Sequence, residues 1–336
     1  MPTISDVAAM AGVSTATVSR ALNGKSTVAP DLVVRVTDAA KALGYQPNGP
    51  ARNLRRQETA VLALIISDVE NPFFTAIARG VEDVAHGKGY SVVLCNSDEN
   101  AEKERRYIDV ALQERAAGVI LSPTGTATNV DVLLSSGTPV VAVDRPLPDR
   151  PSDTVLVDTR RAACAATEHL IAQDYHRIGI VTGPPGVRTA DDRLDGYRDA
   201  LRAARRRAPQ RLVRRSEYKG TGAREATLDL FAQPEPPDAV LVANSAMAIG
   251  VLDALRSLGL RPGGDVGVVA FDDAPWAALV DPPLTVVGQP AYEIGQIAAQ
   301  LLLARILDGT RPPAVTTLDA RLIERASSSR GDRHPR

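Results

Sequence analysis

The spacing of apolar residues changes near residue 60, and this divides the chain into two parts. In residues 3–45 apolar side chains recur at helical spacing, and three short helices are predicted, with breaks at Gly12 and Gly24 and an end at Gly44. From Val61 onward short apolar runs alternate with amphipathic segments. Such alternation of strands and helices predicts parallel sheets covered by helices on both faces.

The predicted elements of the second part form two successive β/α blocks of similar size, which indicates paired subdomains. Strands are predicted at 61–66, 91–95, 118–121, 139–143, 154–157, 177–182, 238–243, 266–271 and 284–287. Helices are predicted near 74–88, 101–116, 161–173, 191–206, 222–232, 245–258 and 291–308.

The second helix of the first part has two unlike faces. At 100° per residue, Val18 and Leu22 share one face, whereas the opposite face carries the small or polar residues Thr15, Ala16, Ser19 and Arg20. A helix that enters a DNA major groove about 12 Å wide needs such a slim outer face, and an arginine there can donate two hydrogen bonds to guanine. A small helical bundle with a polar surface would show the same pattern, so spacing alone leaves both interpretations open.

Charge is divided unevenly along the chain. The formal net charge is −1, but residues 1–56 hold seven Lys/Arg against three Asp/Glu, and the remainder sums to −5. A basic head on an acidic body is typical of a protein of which one end touches nucleic acid phosphates. Residues 46–58 are too polar to fold alone and are predicted to be a linker.

Composition excludes several other classes of protein. Apolar residues make up 44% of the 336 residues and charged residues 24%, as in ordinary globular proteins. No apolar run is long enough to cross a membrane, and the start of the chain does not resemble a secretory signal, so we expect a cytoplasmic protein. Two cysteines and four scattered histidines predict neither a disulfide framework nor a metal site. No catalytic constellation or cofactor-binding loop stands out, so we expect no enzyme activity and no cofactor.

Several motifs together resemble the lac repressor/galactose repressor family of transcriptional regulators, over essentially residues 2–325. They are TISDVAAMAGVSTATVSRALNG at 3–24, GYQPN at 44–48, ARNLR at 51–55, DVENPFF at 68–74, DRLDGY at 192–197, FDD at 271–273 and DPPLT at 281–285.

The resemblance implies a helix-turn-helix head of three helices at 1–45, a hinge at 46–58, a two-lobed body at 59–326 and a disordered tail at 327–336. The body is expected to have the periplasmic-binding-protein-like fold of doubly wound parallel sheets. Its first lobe would comprise about 60–158 and 290–318, and its second lobe about 159–289 and 319–326. In the family, two heads of a homodimer bind a pseudo-palindromic operator on double-stranded DNA. Ile77, Val81 and Val84 are expected to contribute an apolar stripe to the dimer.

The resemblance also predicts which residues bind. DNA contacts are expected from Thr15, Ala16, Thr17, Ser19, Arg20, Asn23, Asn48, Ala51, Arg52, Leu54 and Arg55. By analogy, Leu54 would wedge into a central base step from the minor groove. Gly49 and Pro50 precede the hinge, where the family has residues that favour helix, so the start of a hinge helix is expected to shift.

An effector is expected between the lobes, held by Phe73, Phe74, Arg193, Asn244, Asp272 and Trp276. Asn244 and Asp272 follow predicted strands, at the sheet edge where open α/β sheets bind ligands. Structural alternatives exist: Arg193 could pair with Asp191 or Asp195, and Trp276 could pack at an interface. Ser245 stands where the family commonly has aspartate, which removes an acid from the cleft.

We therefore predict a repressor whose operator affinity is controlled by a sugar or sugar derivative, with a nucleoside or purine base as the alternative effector. A solute-binding protein would share the body but not the head. An enzyme on a doubly wound fold is the other class, but fold alone gives no catalysis.

Overall fold

A computed structural model describes residues 2–22, 28–45, 59–125, 128, 130–148 and 150–330. The chain divides into two compact units, Met1–Thr59 and Ala60–Arg336, here called the head and the body. The predicted hinge, 46–58, lies outside the described residues. Among the described residues no helix has the length and apolar character that a membrane span requires.

The head contains three helices, α1 (Ile4–Ala11), α2 (Thr15–Leu22) and α3 (Pro30–Ala42). Thr3 and Asp6 form the predicted capping box at the start of α1, and Ser14 Oγ accepts the Thr17 amide at the start of α2. The three helices share one buried cluster, made of Val7, Ala8, Ala11, Val18, Ala21, Val36, Ala39 and Ala40. The predicted three-helix arrangement is confirmed.

The first lobe of the body, called the N-lobe, has a parallel sheet of six strands in the order β11-β5-β4-β3-β1-β2. These are β1 (Val61–Ile66), β2 (Ser91–Asn96), β3 (Gly118–Leu121), β4 (Val140–Val143), β5 (Asp153–Val157) and β11 (Val315–Leu318). Its helices are α4 (Pro72–His86), α5 (Ala101–Gln113), α6 (Asp131–Ser135) and α11 (Ala291–Leu307). Alternate strand residues enter buried clusters on opposite faces of the sheet.

The second lobe, called the C-lobe, has six strands in the order β12-β10-β9-β8-β6-β7, with only β12 antiparallel to its neighbour. The strands are β6 (Ile178–Thr182), β7 (Val213–Arg215), β8 (Ala239–Val242), β9 (Gly267–Phe271), β10 (Thr285–Gly288) and β12 (Arg321–Ile323). The helices are α7 (Thr159–Ala172), α8 (Arg188–Ala203), α9 (Gly220–Phe231) and α10 (Ser245–Ser257). This sheet also has a buried cluster on each face.

Two expectations are wrong. Ile77 and Val81 do not form a surface stripe, because both side chains are fully buried in the N-lobe core. The tail is not disordered from residue 327: Ser327 and Ser328 are fully buried, and Ser327 Oγ donates to the Val268 carbonyl at 2.7 Å. Thr285 N in turn donates to Ser327 Oγ at 2.7 Å, which ties this segment to the C-lobe sheet. Residues 331–336 lie outside the described part of the chain.

Candidate functional site

The outer face of α2 has the slim shape that the sequence predicts. Thr15, Ala16 and Arg20 are exposed, whereas Val18 and Ala21 are buried against the other two helices. Arg20 Nε donates to the Ala16 carbonyl at 3.2 Å, so one turn of its own helix holds the guanidinium. Thr17 and Ser19 are half-buried, and the Thr17 hydroxyl bonds Ser14 Oγ at 2.9 Å. The other predicted DNA contacts lie outside the described residues: Asn23, Asn48, Ala51, Arg52, Leu54 and Arg55.

In the body, a cavity lined by residues of both lobes lies between them. Most of its lining residues follow the carboxyl end of a strand, where open α/β sheets bind ligands. The N-lobe contributes Asp68, Asn71, Phe73, Phe74, Glu99, Asp144 and Arg145. The C-lobe contributes Thr189, Arg193, Tyr218, Asn244, Asp272 and Gln289.

On the N-lobe side, Arg145 is a buried and firmly held cation. Its guanidinium makes a bidentate pair with Glu99, with bonds of 2.8 and 2.7 Å, and donates to the Pro123 carbonyl at 3.0 Å. Asp144 Oδ2 lies 3.3 Å from Arg145 Nε. Arg145 also lies over the Tyr218 ring of the other lobe, 5.7 Å from its centroid. The N-lobe thus offers the cavity a guanidinium and a carboxylate side by side.

The C-lobe side also brings an arginine and an aspartate to the cavity. Arg193 donates to the Ala243 carbonyl at 2.7 Å and lies over the Phe271 ring, 4.3 Å from its centroid. Asp272 accepts Gln289 Nε2 at 2.6 Å and, more weakly, the Ser245 amide at 3.4 Å. Asp272 has a positive φ of 72°, an uncommon backbone conformation outside glycine that turns the chain directly after β9.

Burial sets the electrostatics of the cavity. It raises the pKa of Asp144 and of Asp272, and the neighbouring guanidinium groups act against that rise. Two buried polar atoms along the cavity have no partner, Arg193 Nε and Gln289 Oε1, and a third, Arg145 Nε, meets only Asp144 Oδ2, in an ion pair at 3.3 Å. Leaving such atoms unpaired costs about 1–3 kcal/mol each, so a polar ligand that satisfied them would stabilise this arrangement.

The cavity suits an uncharged polyhydroxyl ligand. A guanidinium donates to hydroxyl oxygens, and a carboxylate accepts from hydroxyl hydrogens, so each cation–acid pair can hold neighbouring hydroxyl groups. Phe73 and Phe74 supply an apolar wall, with ring centroids 5.1 Å apart in an edge-to-face arrangement. Within the ranges that the structure describes, no cluster of three or more His, Cys, Asp or Glu could hold a metal ion.

Five of the six predicted effector residues line this cavity, and Trp276 does not. Trp276 is half-buried and packs against the C-lobe core, because the turn after β9 carries it away from the strand end. Arg193 pairs with neither Asp191 nor Asp195. Asn244 caps α10 through its Oδ1, which accepts the Met247 amide at 2.7 Å.

The sequence did not predict eight of the lining residues. Seven are polar or charged, and the eighth is the aromatic Tyr218; the seven are Asp68, Asn71, Glu99, Asp144, Arg145, Thr189 and Gln289. Asp144 directly follows a predicted strand and Gln289 lies two residues after another, so the rule that identified Asn244 and Asp272 was a sufficient signal for Asp144 and a weaker one for Gln289. Tyr218 follows β7, a strand that the apolar pattern does not reveal.

Side chains from the two lobes also meet beside the cavity. Lys219 of the C-lobe lies 3.1 Å from Asp68 Oδ2 and 2.8 Å from Asp98 Oδ1, both in the N-lobe. Ser245 Oγ donates to Asn71 Oδ1 at 3.3 Å, also between the lobes. Ser245, where the family commonly has aspartate, thus bonds directly with the N-lobe.

Comparison with known proteins agrees with this geometry. Residues 3–48 match the model for bacterial regulatory proteins of the lacI family, and residues 167–328 match that of the periplasmic binding protein-like domain. The ribose operon repressor of Escherichia coli strain K12 is 34% identical over 330 residues, which cover 98% of this chain and 100% of that protein. The ribose operon repressor of Bacillus subtilis strain 168 is 36% identical, over 91% and 92% of the two chains.

The fold has a solved counterpart of the same length. The lac repressor dimer bound to operator and the anti-inducer ONPF aligns with a TM-score of 0.87 at 26% identity, over 97% of this chain and 99% of that one. The relatives at 34% and 36% identity are transcriptional repressors rather than enzymes, and the match with one of them spans head, hinge and body. This chain therefore belongs to the lacI family of bacterial regulatory proteins.

Proposed function

We propose that the chain is a cytoplasmic transcriptional repressor whose affinity for operator DNA is controlled by a monosaccharide bound between the N-lobe and the C-lobe. The head reads double-stranded DNA through Thr15, Ala16, Thr17, Ser19 and Arg20 on α2, with Asn23 and the hinge residues Asn48, Ala51, Arg52, Leu54 and Arg55. The effector contacts Phe73, Phe74, Arg193, Asn244 and Asp272, together with Asp144 and Arg145.

Two buried polar atoms without a partner, Arg193 Nε and Gln289 Oε1, carry this proposal. Arg193 Nε is a donor and Gln289 Oε1 is an acceptor, so a ligand that satisfies both must accept and donate hydrogen bonds. A sugar hydroxyl does both. Because the cavity lining carries aspartates as well as arginines, the ligand need not bring a charge of its own.

Ribose is the first sugar to test, since two relatives that match over nine-tenths or more of this chain are ribose operon repressors. A nucleoside is the alternative that the test has to separate from it. In a nucleoside the anomeric hydroxyl is replaced by a base, so the two ligands differ at one end of the sugar ring.

A homodimer is part of the proposal, because two heads are needed to read a pseudo-palindrome. The apolar surface for it is not the predicted stripe on α4. Val93 and Leu94 on the edge strand β2 are 49% and 44% exposed, an unusual exposure for apolar residues on an edge strand. We propose that β2 contributes to the contact between the two subunits.

The test is calorimetric titration of the full chain with ribose, other pentoses and hexoses, and adenosine. We expect one of the sugars to bind. Asp272→Ala should weaken that binding by about tenfold to a hundredfold, because a charge-assisted hydrogen bond is worth about 1.5–3 kcal/mol. Asp195→Ala is the matched control, since that aspartate lies on α8 outside the cavity and pairs with Arg198 at 3.5 Å. Binding of adenosine alone, or of no compound, would refute the sugar assignment.

A further inference from the structure

A short segment of the C-lobe is far more basic than the rest of the acidic body. Residues 202–215 contain seven arginines and no acid. They are Arg202, Arg205, Arg206, Arg207, Arg211, Arg214 and Arg215. Five of these make ion pairs or hydrogen bonds, with acids and carbonyls elsewhere in the C-lobe. Neither Arg205 nor Arg207 has a partner among the described residues, so the positive charge of these two side chains is not neutralised by an acid.

Of these two, Arg207 lines a cavity that is separate from the effector cavity. It has a volume of about 360 Å³, and its lining consists of His176, Arg177, Ile178, Leu201, Arg207, Pro209, Arg211 and Leu212. Ile178 begins β6 and Leu212 immediately precedes β7, so this cavity lies at the amino ends of the strands. The effector cavity lies at their carboxyl ends, roughly 13 Å away along β6.

Two of the lining guanidinium groups are held in place by their neighbours. Arg177 Nε donates to the Pro236 carbonyl at 2.8 Å, and Arg211 pairs with Glu235 at 2.7 Å. No acid lines the cavity. The nearby Asp238 accepts the backbone amides of His176 and Arg177 at 2.7–3.0 Å, so its charge is directed to the backbone. Three arginines therefore line this cavity, and of these Arg211 is paired with an acid.

The rest of the lining is apolar. Ile178 and Leu212 are buried, and Leu201 and Pro209 complete the wall. A ligand for this cavity needs an anionic group for the arginines and an apolar or flat part for the wall. Guanidinium groups match the geometry of phosphate oxygens and bind them with two hydrogen bonds.

We propose that this cavity binds a small phosphate ester with a planar group, of the kind that a nucleoside monophosphate represents. The concave shape favours a small molecule over a nucleic acid or a protein, because its volume of about 360 Å³ lies within the size range of ligand pockets, about 300–1,000 Å³. The site is distinct from the sugar site and does not depend on it.

The experiment titrates AMP, adenosine and inorganic phosphate into the full chain by calorimetry. AMP binds most tightly, inorganic phosphate binds more weakly, and adenosine does not bind to this site. The double variant Arg177→Ala/Arg207→Ala loses at least about tenfold in AMP affinity, since each removes a charge-assisted contact. Arg202→Ala is the matched control, because Arg202 belongs to the same segment but pairs with Asp199 outside the cavity. Its AMP affinity stays that of the unmodified chain.

Asp272→Ala separates the two sites. It loses sugar binding and keeps AMP binding if the proposal is right. AMP binding that disappears in Asp272→Ala but survives in Arg177→Ala/Arg207→Ala places AMP in the effector cavity and overturns the proposal. Absence of AMP binding to the unmodified chain overturns it as well. The proposal is also overturned if the double variant changes only the affinity for nonspecific duplex DNA, because the arginines then bind DNA and not a small ligand.

Discussion

Arg193 illustrates what a buried charge needs from its neighbours. Arg193 is only 5% exposed. Moving a guanidinium group out of water costs far more hydration free energy than one hydrogen bond regains. The Ala243 carbonyl, the Phe271 ring and the nearby Asp272 offset part of this cost, but Nε is left unpaired. A residue placed like this favours binding of a ligand more than stability of the empty fold.

Glu104 provides a pH-dependent prediction at the same scale. Burial raises the pKa of its carboxyl group, although hydrogen bonds from Thr128 and Thr124 act against the rise. The folded state therefore holds this proton to a higher pH than the unfolded state does, and folding stability falls as the pH rises from about 4.5 to the folded pKa. The Glu104→Gln variant has no titrating group at this position and does not lose stability in this way. The difference in unfolding free energy, variant minus unmodified chain, should therefore increase with pH across that window. Urea unfolding at several pH values measures it. Glu102→Gln, an exposed change on the same helix, should show no such trend.

Arg20 provides the prediction for DNA recognition. Arg20→Ala should weaken binding to the preferred duplex by about 1–3 kcal/mol and relax the preference at one base pair per half-site. Fluorescence anisotropy with a duplex selected from a random pool, and with a scrambled duplex, measures both effects. Lys41→Ala, an exposed change on α3, is the control. Equal weakening on the two duplexes would show that Arg20 contacts phosphate and does not read a base.

The residues found from the sequence are those with a strong local signal. Asp272 follows a long apolar run and Phe73–Phe74 lie in a recognisable motif, so both could be predicted. Glu99 could not, because its role depends on a bidentate pair with Arg145, 46 residues further along the chain. Trp276 lies outside the cavity lining, and sequence distance from Asp272 does not reveal the direction in which the turn carries its side chain.

At the scale of elements, glycines allow helices of the body to cross closely. A Cβ on Gly295 of α11 would lie 2.1 Å from the Ile77 carbonyl oxygen of α4, and a Cβ on Gly80 of α4 would lie 2.1 Å from the Tyr292 carbonyl oxygen. The two glycines therefore face opposite backbones at a single crossing. The C-lobe has a comparable contact, where a Cβ on Gly250 of α10 would lie 1.9 Å from the Gly220 carbonyl oxygen.

Gly295→Ala tests this crossing. Alanine favours a helix over glycine by about 1 kcal/mol, but the clash is with rigid backbone, and overpacking costs about 1–3 kcal/mol or more. We expect a net loss of stability, visible as a lower urea midpoint for the body. Gly309→Ala is the control, because a Cβ there has no neighbour within 4 Å. A Gly295→Ala variant as stable as the control would mean that the helices can separate without cost.

Most of the strands that the apolar pattern predicts are buried, and the partly exposed edge strand β2 is predicted from its own apolar residues. Strands β1, β3, β4, β6, β8 and β9 are buried along most of their length and were all anticipated. Strands β7, β11 and β12 are short and half-exposed, so their residues carry little apolar signal. Each lies at the edge of a sheet, and its strand character comes from pairing with a distant neighbour, as β11 pairs with β5.

At the scale of the body, the two lobes are joined beside the effector cavity by charge. Partial burial disfavours the charged form of Lys219, but hydrogen bonds with Asp98 and Asp68 outweigh this effect and raise its pKa. Asp68 is buried, whereas Lys219 and Asp98 are about one-third exposed. The ion pairs therefore favour approach of the lobes even before a ligand binds. A ligand can shift the balance of lobe arrangements only by its preference for one of them.

Lys219→Met should therefore populate more open arrangements of the body. Partly exposed ion pairs contribute about 0.2–1 kcal/mol each, so we expect sugar affinity to fall by roughly twofold to tenfold, since the ligand then has to bring about more of the closure. Calorimetry measures the sugar affinity, and small-angle X-ray scattering of the ligand-free chain measures the opening independently of any sugar. Lys103→Met is the matched control: Lys103 also pairs with Asp98, at 3.4 Å, but within the N-lobe.

If closure is linked to DNA binding, Lys219→Met should also change the factor by which sugar shifts operator affinity, and operator must shift sugar affinity by that same factor. Equal effects of the two lysine variants on scattering and on sugar affinity would show that Lys219 acts through Asp98 alone and not by joining the lobes.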